Sequence, residues 1–340
     1  MNEMYTNRHW VLAERPAGEP DLDCFERTET ETAEPTEGEI LVETRYLSVD
    51  PYMRGRMSEQ ESYAEPWAVG DPLKGGIVGE VVATESDAFD TGDLVTGEGL
   101  WAEYSCLDAD DVAPVDPSVA PPEAYLGVLG MPGRTAYFGL LEVGDPSPGE
   151  TVVVSGGAGA VGSVVGQIAK LNGCHVVGFA GSDEKTSWVT DDLGFDAAIN
   201  YKSVDDYQAA LADAAPDGVD VYYDNVGGPI TDAVFTQLNL DATVAVCGQI
   251  AYYNAESMPT GPRKLPQLIA KRATVQGLLV GDFSNRFAVA TEQLSEWVTD
   301  GMLQHRETVV EGLLNAPEAF LGLFAGNNIG KQVVRVTEES

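Results

Sequence analysis

The chain has 340 residues, 55 of them Asp or Glu and 19 Lys or Arg, for a formal net charge of −36 at pH 7. At 44 % hydrophobic and 22 % charged it is too apolar for a disordered acidic polymer, and at about 100–200 residues per domain it is long enough for two packed domains. The charge argues against a nucleic-acid backbone or an anionic membrane surface as partner, since both need positive charge at contact range.

The acidic residues are spread along the chain, the pattern of a solvated surface whose self-repulsion is screened by a salt-rich cytoplasm, so a halophilic source is expected. MNEMYTNRHW lacks a basic segment followed by an apolar one. No run approaches the roughly 18 apolar residues of a membrane span, and a cytoplasmic protein is expected.

Residues 37–120 read as short apolar-alternating runs (EILVETRYLSVD, GGIVGEVVATES, DLVTGEGLWAEYSCL) broken by Gly, Pro and acidic turns, which predicts an antiparallel, barrel-like β domain. After the Pro-rich VAPVDPSVAPPE, the spacing in AYLGVLGMPGRTAYFGLLEVG suits buried helix punctuated by Pro132 and Gly133. From Thr151 the pattern alternates strand and helix: TVVVSG, AVGSVVGQIAKLNG, HVVGFAG, DEKTSWVTDDLG, AAINY, VDDYQAALADAA, VDVYYDNVGG, ITDAVFTQLN, ATVAVCGQ. Continuous Val-rich strands separated by helices predict a parallel sheet covered on both faces, a doubly wound α/β domain. The helix FAVATEQLSEWVTDG, the strand RETVVEG, the helix APEAFLGLFAG and the strand GKQVVRVTEE follow. This tail is too short for a domain and is expected to complete the first one. The expected boundaries are 1–125 with 286–340, and 126–285.

Cys24, Cys106, Cys174 and Cys247 are too widely spaced for a C-x2-C zinc site and too few for a disulfide scaffold. His9, His175 and His305 are not paired at metal-ligand spacing. No metal centre is expected.

Strand TVVVS runs into Gly156-Gly157-Ala158-Gly159-Ala160-Val161-Gly162 and then helix SVVGQIAKLNG. Gly157, Gly159 and Gly162 thus match G-x-G-x-x-G in the strand–turn–helix setting that dinucleotide binding requires. The first glycine allows the tight turn, the second the approach of a pyrophosphate, the third close packing of helix on strand, and the helix N-terminus offers N–H groups to the phosphates. An NAD site would place a carboxylate at the end of the second strand to bond the ribose hydroxyls. Here HVVGF ends in Ala180, Gly181 and Ser182, with Lys185 close by. That favours the 2′-phosphate of NADPH over NADH. A solvated lysine at a helix start, beside Asp183 and Glu184, is the plain alternative.

These residues resemble the medium-chain dehydrogenase/reductase superfamily, and within it the zinc-free prostaglandin reductase/leukotriene B4 12-hydroxydehydrogenase-like branch with its curcumin reductase and plant double-bond reductase relatives. The resemblance is carried in order along most of the chain by LSVDPYMRGRM (47–57), MPGRTAYFGLLEVG (131–144), GETVVVSGGAGAVGSVVGQIAKLNGCHVVGFAGSDEK (149–185), LGFDAAINYK (193–202), DVYYDNVGG (220–228), VCGQIAYYN (246–254), GPRKL (261–265), RETVVEGLLNAPEAFLGLF (306–324) and NIGKQVVRV (328–336). It implies a GroES-like catalytic β domain plus a Rossmann domain, commonly as a homodimer, reducing the C=C bond of α,β-unsaturated ketones or aldehydes with NADPH. Zinc-dependent relatives carry Gly-His-Glu where this chain reads Lys74-Gly75-Gly76.

Carried over residue by residue, the resemblance implies that Gly159, Ala160, Val161 and Gly162 meet the pyrophosphate and that Lys185 and Tyr201 meet the 2′-phosphate end. Asn225 falls at the ribose or nicotinamide, Cys247, Gly248 and Tyr253 beside the nicotinamide, and Asn328 reaches across from the C-terminal segment. Plain alternatives stand beside them: a strand-end aromatic for Tyr201, a turn former for Asn225, a loop cap for Asn328. Hydride addition to an enone leaves charge on the carbonyl oxygen, and without a metal a hydrogen-bond donor must face it. The resemblance points to Tyr253 as that donor and to Tyr52 as a pocket wall, with Tyr252 an alternative to its neighbour. Arg54 and Arg56 are either anchors for a substrate carboxylate or partners of backbone carbonyls. Quinone reduction on the same fold, and NADPH binding without turnover, are the rival functions.

Overall fold

The computed structural model describes residues 5–60, 62–257 and 259–336. They form two compact units, 5–126 with 307–336, and 127–306.

The first unit opens with an antiparallel pair, β1 (Thr6–Leu12) and β2 (Phe25–Glu31). The apolar alternation that begins at residue 37 does not foreshadow it, because β2 reads FERTETE and keeps only Phe25 buried. Next come β3 (Glu39–Ser48), the short helix α1 (Met53–Arg56), β4 (Lys74–Thr84), β5 (Leu94–Leu100), β6 (Tyr104–Asp108) and β7 (Ala113–Pro114). The alternating strands place Ile40, Val42, Leu47, Ile77, Val81 and Val95 in one core, where Trp101 stacks on Phe25 at 6.2 Å between ring centroids.

The second unit comprises α2 (Met131–Phe138), β8 (Thr151–Ser155), α3 (Gly162–Leu171), β9 (His175–Ala180), α4 (Asp183–Ser187), β10 (Ala197–Asn200), α5 (Tyr207–Ala214), β11 (Val219–Asp224), α6 (Gly228–Val234), β12 (Leu238–Val246), α7 (Leu265–Lys271), β13 (Thr274–Gly277) and α8 (Phe287–Thr299). Its sheet runs β10-β9-β8-β11-β12-β13 with every neighbouring pair parallel. All five residues of β8 are buried, as a central strand covered on both faces demands. The chain winds outward from β8 to β10, then crosses back to β11. The carboxyl ends of β8 and β11 therefore flank the switch point, where doubly wound sheets bind ligands.

The chain then returns to the first unit with β14 (Glu307–Glu311), α9 (Ala316–Ala325) and β15 (Lys331–Arg335), giving the sheet order β14-β15-β3-β4-β5-β7 with β6 paired to β3. The return begins at Glu307 and not at 286. Helix α8 stays with the second unit because it packs on α2: Arg134 Nε donates to Thr291 Oγ1 at 2.9 Å and its guanidinium lies 5.0 Å from the centre of the Phe287 ring. Among the described residues no helix is long and apolar enough to cross a membrane.

Candidate active site

At the switch point the glycine loop turns from β8 into α3. A Cβ on Gly162 would lie 2.2 Å from the Gly156 carbonyl oxygen and 3.0 Å from the Gly157 Cα, backbone atoms that no rotamer change can move aside. Gly162 is therefore required for the turn. A Cβ on Gly159 would touch only the Gly156 oxygen, at 3.2 Å, and otherwise project into open space. Gly157 donates its N–H to the Phe179 carbonyl at 2.9 Å, which pins the loop to β9. Ala160 and Val161 lead into the first turn of α3, where the Ser163 N–H donates to the Gly159 carbonyl at 3.0 Å and the Val164 and Val165 N–H groups to that of Val161 at 3.1 and 3.0 Å, so the part left to a phosphate is the loop before Ser163. This cradle fits a pyrophosphate.

The end of β9 presents no carboxylate. Ser182 caps α4, its Oγ accepting from the Lys185 N–H at 3.3 Å. Burial holds the half-buried Lys185 ammonium below its usual range, the positive charge of Lys202 lowers it further, and Glu184 opposes both. Tyr201 follows β10, donating its N–H to the Ala180 carbonyl at 3.1 Å. Its hydroxyl sits so near Gly181 that a Cβ there would come within 2.6 Å of it, and burial raises its pKa. Lys185 thus follows the end of β9 on α4, and the Tyr201 hydroxyl lies against Gly181 at that same strand end. Lys202, absent from the sequence reading, adds a second cation to the same region.

The opposite side of the switch point is organised by Asp224 at the end of β11, 1 % exposed. Its Oδ1 accepts from Ser155 Oγ (2.9 Å), the Tyr222 hydroxyl (2.9 Å) and the N–H groups of Val226 (3.0 Å) and Gly227 (2.8 Å). Its Oδ2 accepts from Thr231 Oγ1 and Gln249 Nε2, both at 2.8 Å. The Asp224 backbone carbonyl takes the N–H groups of Cys247 (2.8 Å) and Gly248 (3.0 Å), which docks the loop after β12. Asn225 ties β11 to β8: its Nδ2 donates to the Ser155 carbonyl at 2.8 Å and its N–H to Ser155 Oγ at 2.9 Å. Asp224, Ser155 and Gln249 were not singled out from sequence. The available signal was an acidic residue closing the strand VDVYYD directly before the turn NVGG.

The two tyrosines of the docked loop differ in what they do. The Tyr252 hydroxyl accepts from the Gly228 N–H at 3.0 Å, so it caps α6. The Tyr253 hydroxyl accepts a long bond of 3.4 Å from the Gln249 N–H. Burial pushes the Tyr253 phenol up from its usual pKa, the Gln249 N–H works against it, and the Asp224 carboxylate adds to the rise. The Cys247 thiol is likewise pushed up to about 11, chiefly by burial, so it is a thiol and not a thiolate at neutral pH.

In the first unit Tyr52 opens α1, its ring 5.6 Å from the Arg56 guanidinium and its phenol raised by burial and by Asp50. The preceding turn is clamped by Lys331, 3 % exposed, whose Nζ lies 3.0 Å from Asp50 Oδ1 and donates to the Val49 (2.9 Å) and Gln332 (2.7 Å) carbonyls. Ser48 Oγ donates to the other Asp50 oxygen. Arg54 is buried and donates to the Gly18 carbonyl at 2.7 Å, the backbone role that was one of its two readings. Arg56 lies 3.8 Å from Glu98. Asn328 Nδ2 donates to the Gly330 carbonyl at 2.8 Å, as a loop cap does.

No group of three or more His, Cys, Asp or Glu side chains among the described residues could hold a metal ion. His9 Nε2 is engaged by Thr28 Oγ1 at 2.7 Å and His175 Nε2 by the Ala214 carbonyl at 2.9 Å.

Residues 8–115 match the family described as the N-terminal domain of oxidoreductase, and residues 160–296 the family described as zinc-binding dehydrogenase. The chain is 45 % identical over 335 residues to the NADPH-dependent curcumin reductase of Escherichia coli (strain K12), covering 97 % of each chain. It is 42 % identical over 344 residues to a 2-alkenal reductase (NADP(+)-dependent) of Nicotiana tabacum, covering 100 % of each. The crystal structure of CurA from Vibrio vulnificus in complex with NADPH superimposes with a TM-score of 0.92 at 42 % identity, covering 98 % of this chain and 100 % of that one. The chain belongs to the medium-chain dehydrogenase/reductase superfamily of oxidoreductases.

Proposed function

We propose that this chain is an NADPH-dependent, metal-free reductase of the C=C bond in α,β-unsaturated ketones and aldehydes, acting in the cytoplasm of a halophile. The observation that carries the cofactor is the end of β9, where Ala180, Gly181 and Ser182 stand in place of a carboxylate, Lys185 follows on α4 and the Tyr201 hydroxyl lies against Gly181. Relatives that share two fifths of the sequence reduce curcumin and 2-alkenals by name, which supports a conjugated carbonyl as acceptor.

When bound, NADPH supplies a hydride that forms the new C–H bond at the β-carbon and leaves negative charge on the carbonyl oxygen. The chain's own part is to grip the diphosphate with the Gly159–Gly162 turn and the 2′-phosphate with Lys185 and Tyr201. Tyr253 serves as the donor to the developing oxyanion. Its phenol, raised above the usual value of 10.0, keeps its proton at neutral pH and offers it along a hydrogen bond, while the second hydrogen reaches the α-carbon as a proton from water. NADPH oxidation with a simple alkenone, a 2-alkenal and a benzoquinone tests the reading. Turnover of the quinone alone would replace it with quinone reduction, and tight NADPH binding with no turnover of any would replace it with a binding role.

The homodimer is proposed to form at β13. This edge strand has all four residues exposed, and the neighbouring Leu265 and Ile269 are 69 % and 83 % exposed. Residues 257–281 contain four cations and no Asp or Glu, in a chain with 55 acidic residues, so two copies can meet there without opposing carboxylates. Size-exclusion with light scattering of Ile269→Glu against the parent checks it, and an unchanged dimer would place the interface elsewhere.

A further inference from the structure

The docked loop that carries Tyr253 is held by side-chain bonds as well as by its backbone, the Tyr252 hydroxyl to Gly228 among them. Gln249 Nε2 donates to Asp224 Oδ2 at 2.8 Å and to the Gly248 carbonyl at 2.9 Å, while its own N–H is the group that reaches the Tyr253 hydroxyl at 3.4 Å. The side chain of Gln249 therefore fixes the peptide whose N–H sets where the phenol sits. Asp224 is a rigid anchor for it. The carboxylate is buried, and its other five hydrogen bonds come from β8, β11, the turn after β11 and α6. The turn of 3-10 helix over Ile250–Tyr252 rests on the same frame: the Ile250 N–H donates to the Asn225 carbonyl at 3.4 Å and the Ala251 N–H to that of Val226 at 3.0 Å.

An N–H pointed at the phenol oxygen has a chemical consequence. It occupies a lone pair of the hydroxyl and leaves the O–H free to point outward, and it favours negative charge on that oxygen, as its lowering effect on the Tyr253 pKa shows. Both effects strengthen Tyr253 as a donor. We propose that Gln249, anchored on Asp224, is a positioning residue that aims and polarises the Tyr253 hydroxyl. This rests on the assignment of Tyr253 as the oxyanion donor.

The test compares Gln249→Ala, Tyr253→Phe and the double variant with the parent, measuring kcat with a simple alkenone and NADPH affinity by fluorescence titration. One charge-assisted hydrogen bond converts to roughly a tenfold change. Gln249→Ala is therefore expected to lower kcat by about tenfold in the Tyr253 background, to cost nothing further in Tyr253→Phe, and to leave NADPH affinity within about twofold. An equal loss in both backgrounds, or no loss in either, would overturn the positioning role while leaving the donor assignment intact. Full kcat in Tyr253→Phe alone would overturn the donor assignment itself.

Gln249→Glu adds a second readout at nearly unchanged volume. Facing Asp224, with Tyr222, Cys247 and Tyr253 as the other titratable groups around the carboxylate, the introduced carboxyl has its pKa raised by the like charge. Protonated, it donates to Asp224 as the amide does. Ionised, it repels. Its kcat is expected to climb towards that of the parent as pH falls from about 8 to about 6, and a profile parallel to that of the parent would count against the proposal.

Discussion

Replacing Lys185 with alanine separates the 2′-phosphate from the rest of the cofactor. The ammonium is half-buried and feels the charge of Lys202, so on the proposed binding mode the loss is one charge-assisted contact to a phosphate, partly screened by water. Such contacts are worth about 1.5–3 kcal/mol, and partial exposure argues for the lower end, about 1.5–2 kcal/mol, or roughly ten- to thirty-fold in Kd. NADH lacks the phosphate and meets only the glycine cradle, so its affinity should stay within about twofold. Paired fluorescence titrations of NADPH and NADH, run at one fixed salt concentration, measure the ratio directly. An equal weakening of both nucleotides would mean that Lys185 supports the fold of α4. Two unchanged affinities would mean that the phosphate is held elsewhere, and either result refutes the reasoning.

Tyr253→Phe should lower kcat by about 10²–10³, the cost of one oxyanion donor, with NADPH affinity nearly unchanged; stopped-flow NADPH oxidation reads both. The preference for NADPH over NADH should also depend on pH. The Lys185 cation, held below the usual 10.5 by burial and by Lys202, is present at neutral pH and lost as pH rises through that lowered value, so discrimination declines at alkaline pH. Lys185→Arg keeps its charge across that range, and its discrimination should stay flat. Because the chain carries −36, its unfolding midpoint should rise with KCl as the screening length shortens from about 10 Å at 0.1 M to about 3 Å at 1 M. A midpoint independent of KCl would remove the halophilic reading.

What could be read from sequence was whatever is local. The strand TVVVS, the glycine turn and the helix after it are contiguous, and periodicity suffices to place them. Lys185 stood out because it follows the strand end where a carboxylate was expected, and Tyr201 because it lies in the family-like block LGFDAAINYK. Asp224 did not, because its six donors come from segments scattered between Ser155 and Gln249, and a carboxylate after an apolar run reads as solvated. The Tyr252–Tyr253 doublet was undecidable for the same reason. Only the fold brings the Gly228 N–H to the first hydroxyl and the Gln249 N–H to the second. The second-unit helix at 287–299 was assigned to the wrong unit because its contact with Arg134 is 157 residues away in sequence. Strand β13 escaped notice because its four residues, TVQG, carry no buried position.

The sequestration of Lys331 has a practical corollary. The chain has seven lysines; this one is sealed against Asp50 and two carbonyls, and Lys170 is engaged with Asp196. Five lysines remain for acylating reagents, Lys74, Lys185, Lys202, Lys264 and Lys271, and two of them, Lys185 and Lys202, belong to the proposed 2′-phosphate site. Amine-directed labelling or immobilisation of this protein therefore engages the proposed cofactor site at two of its five candidate lysines.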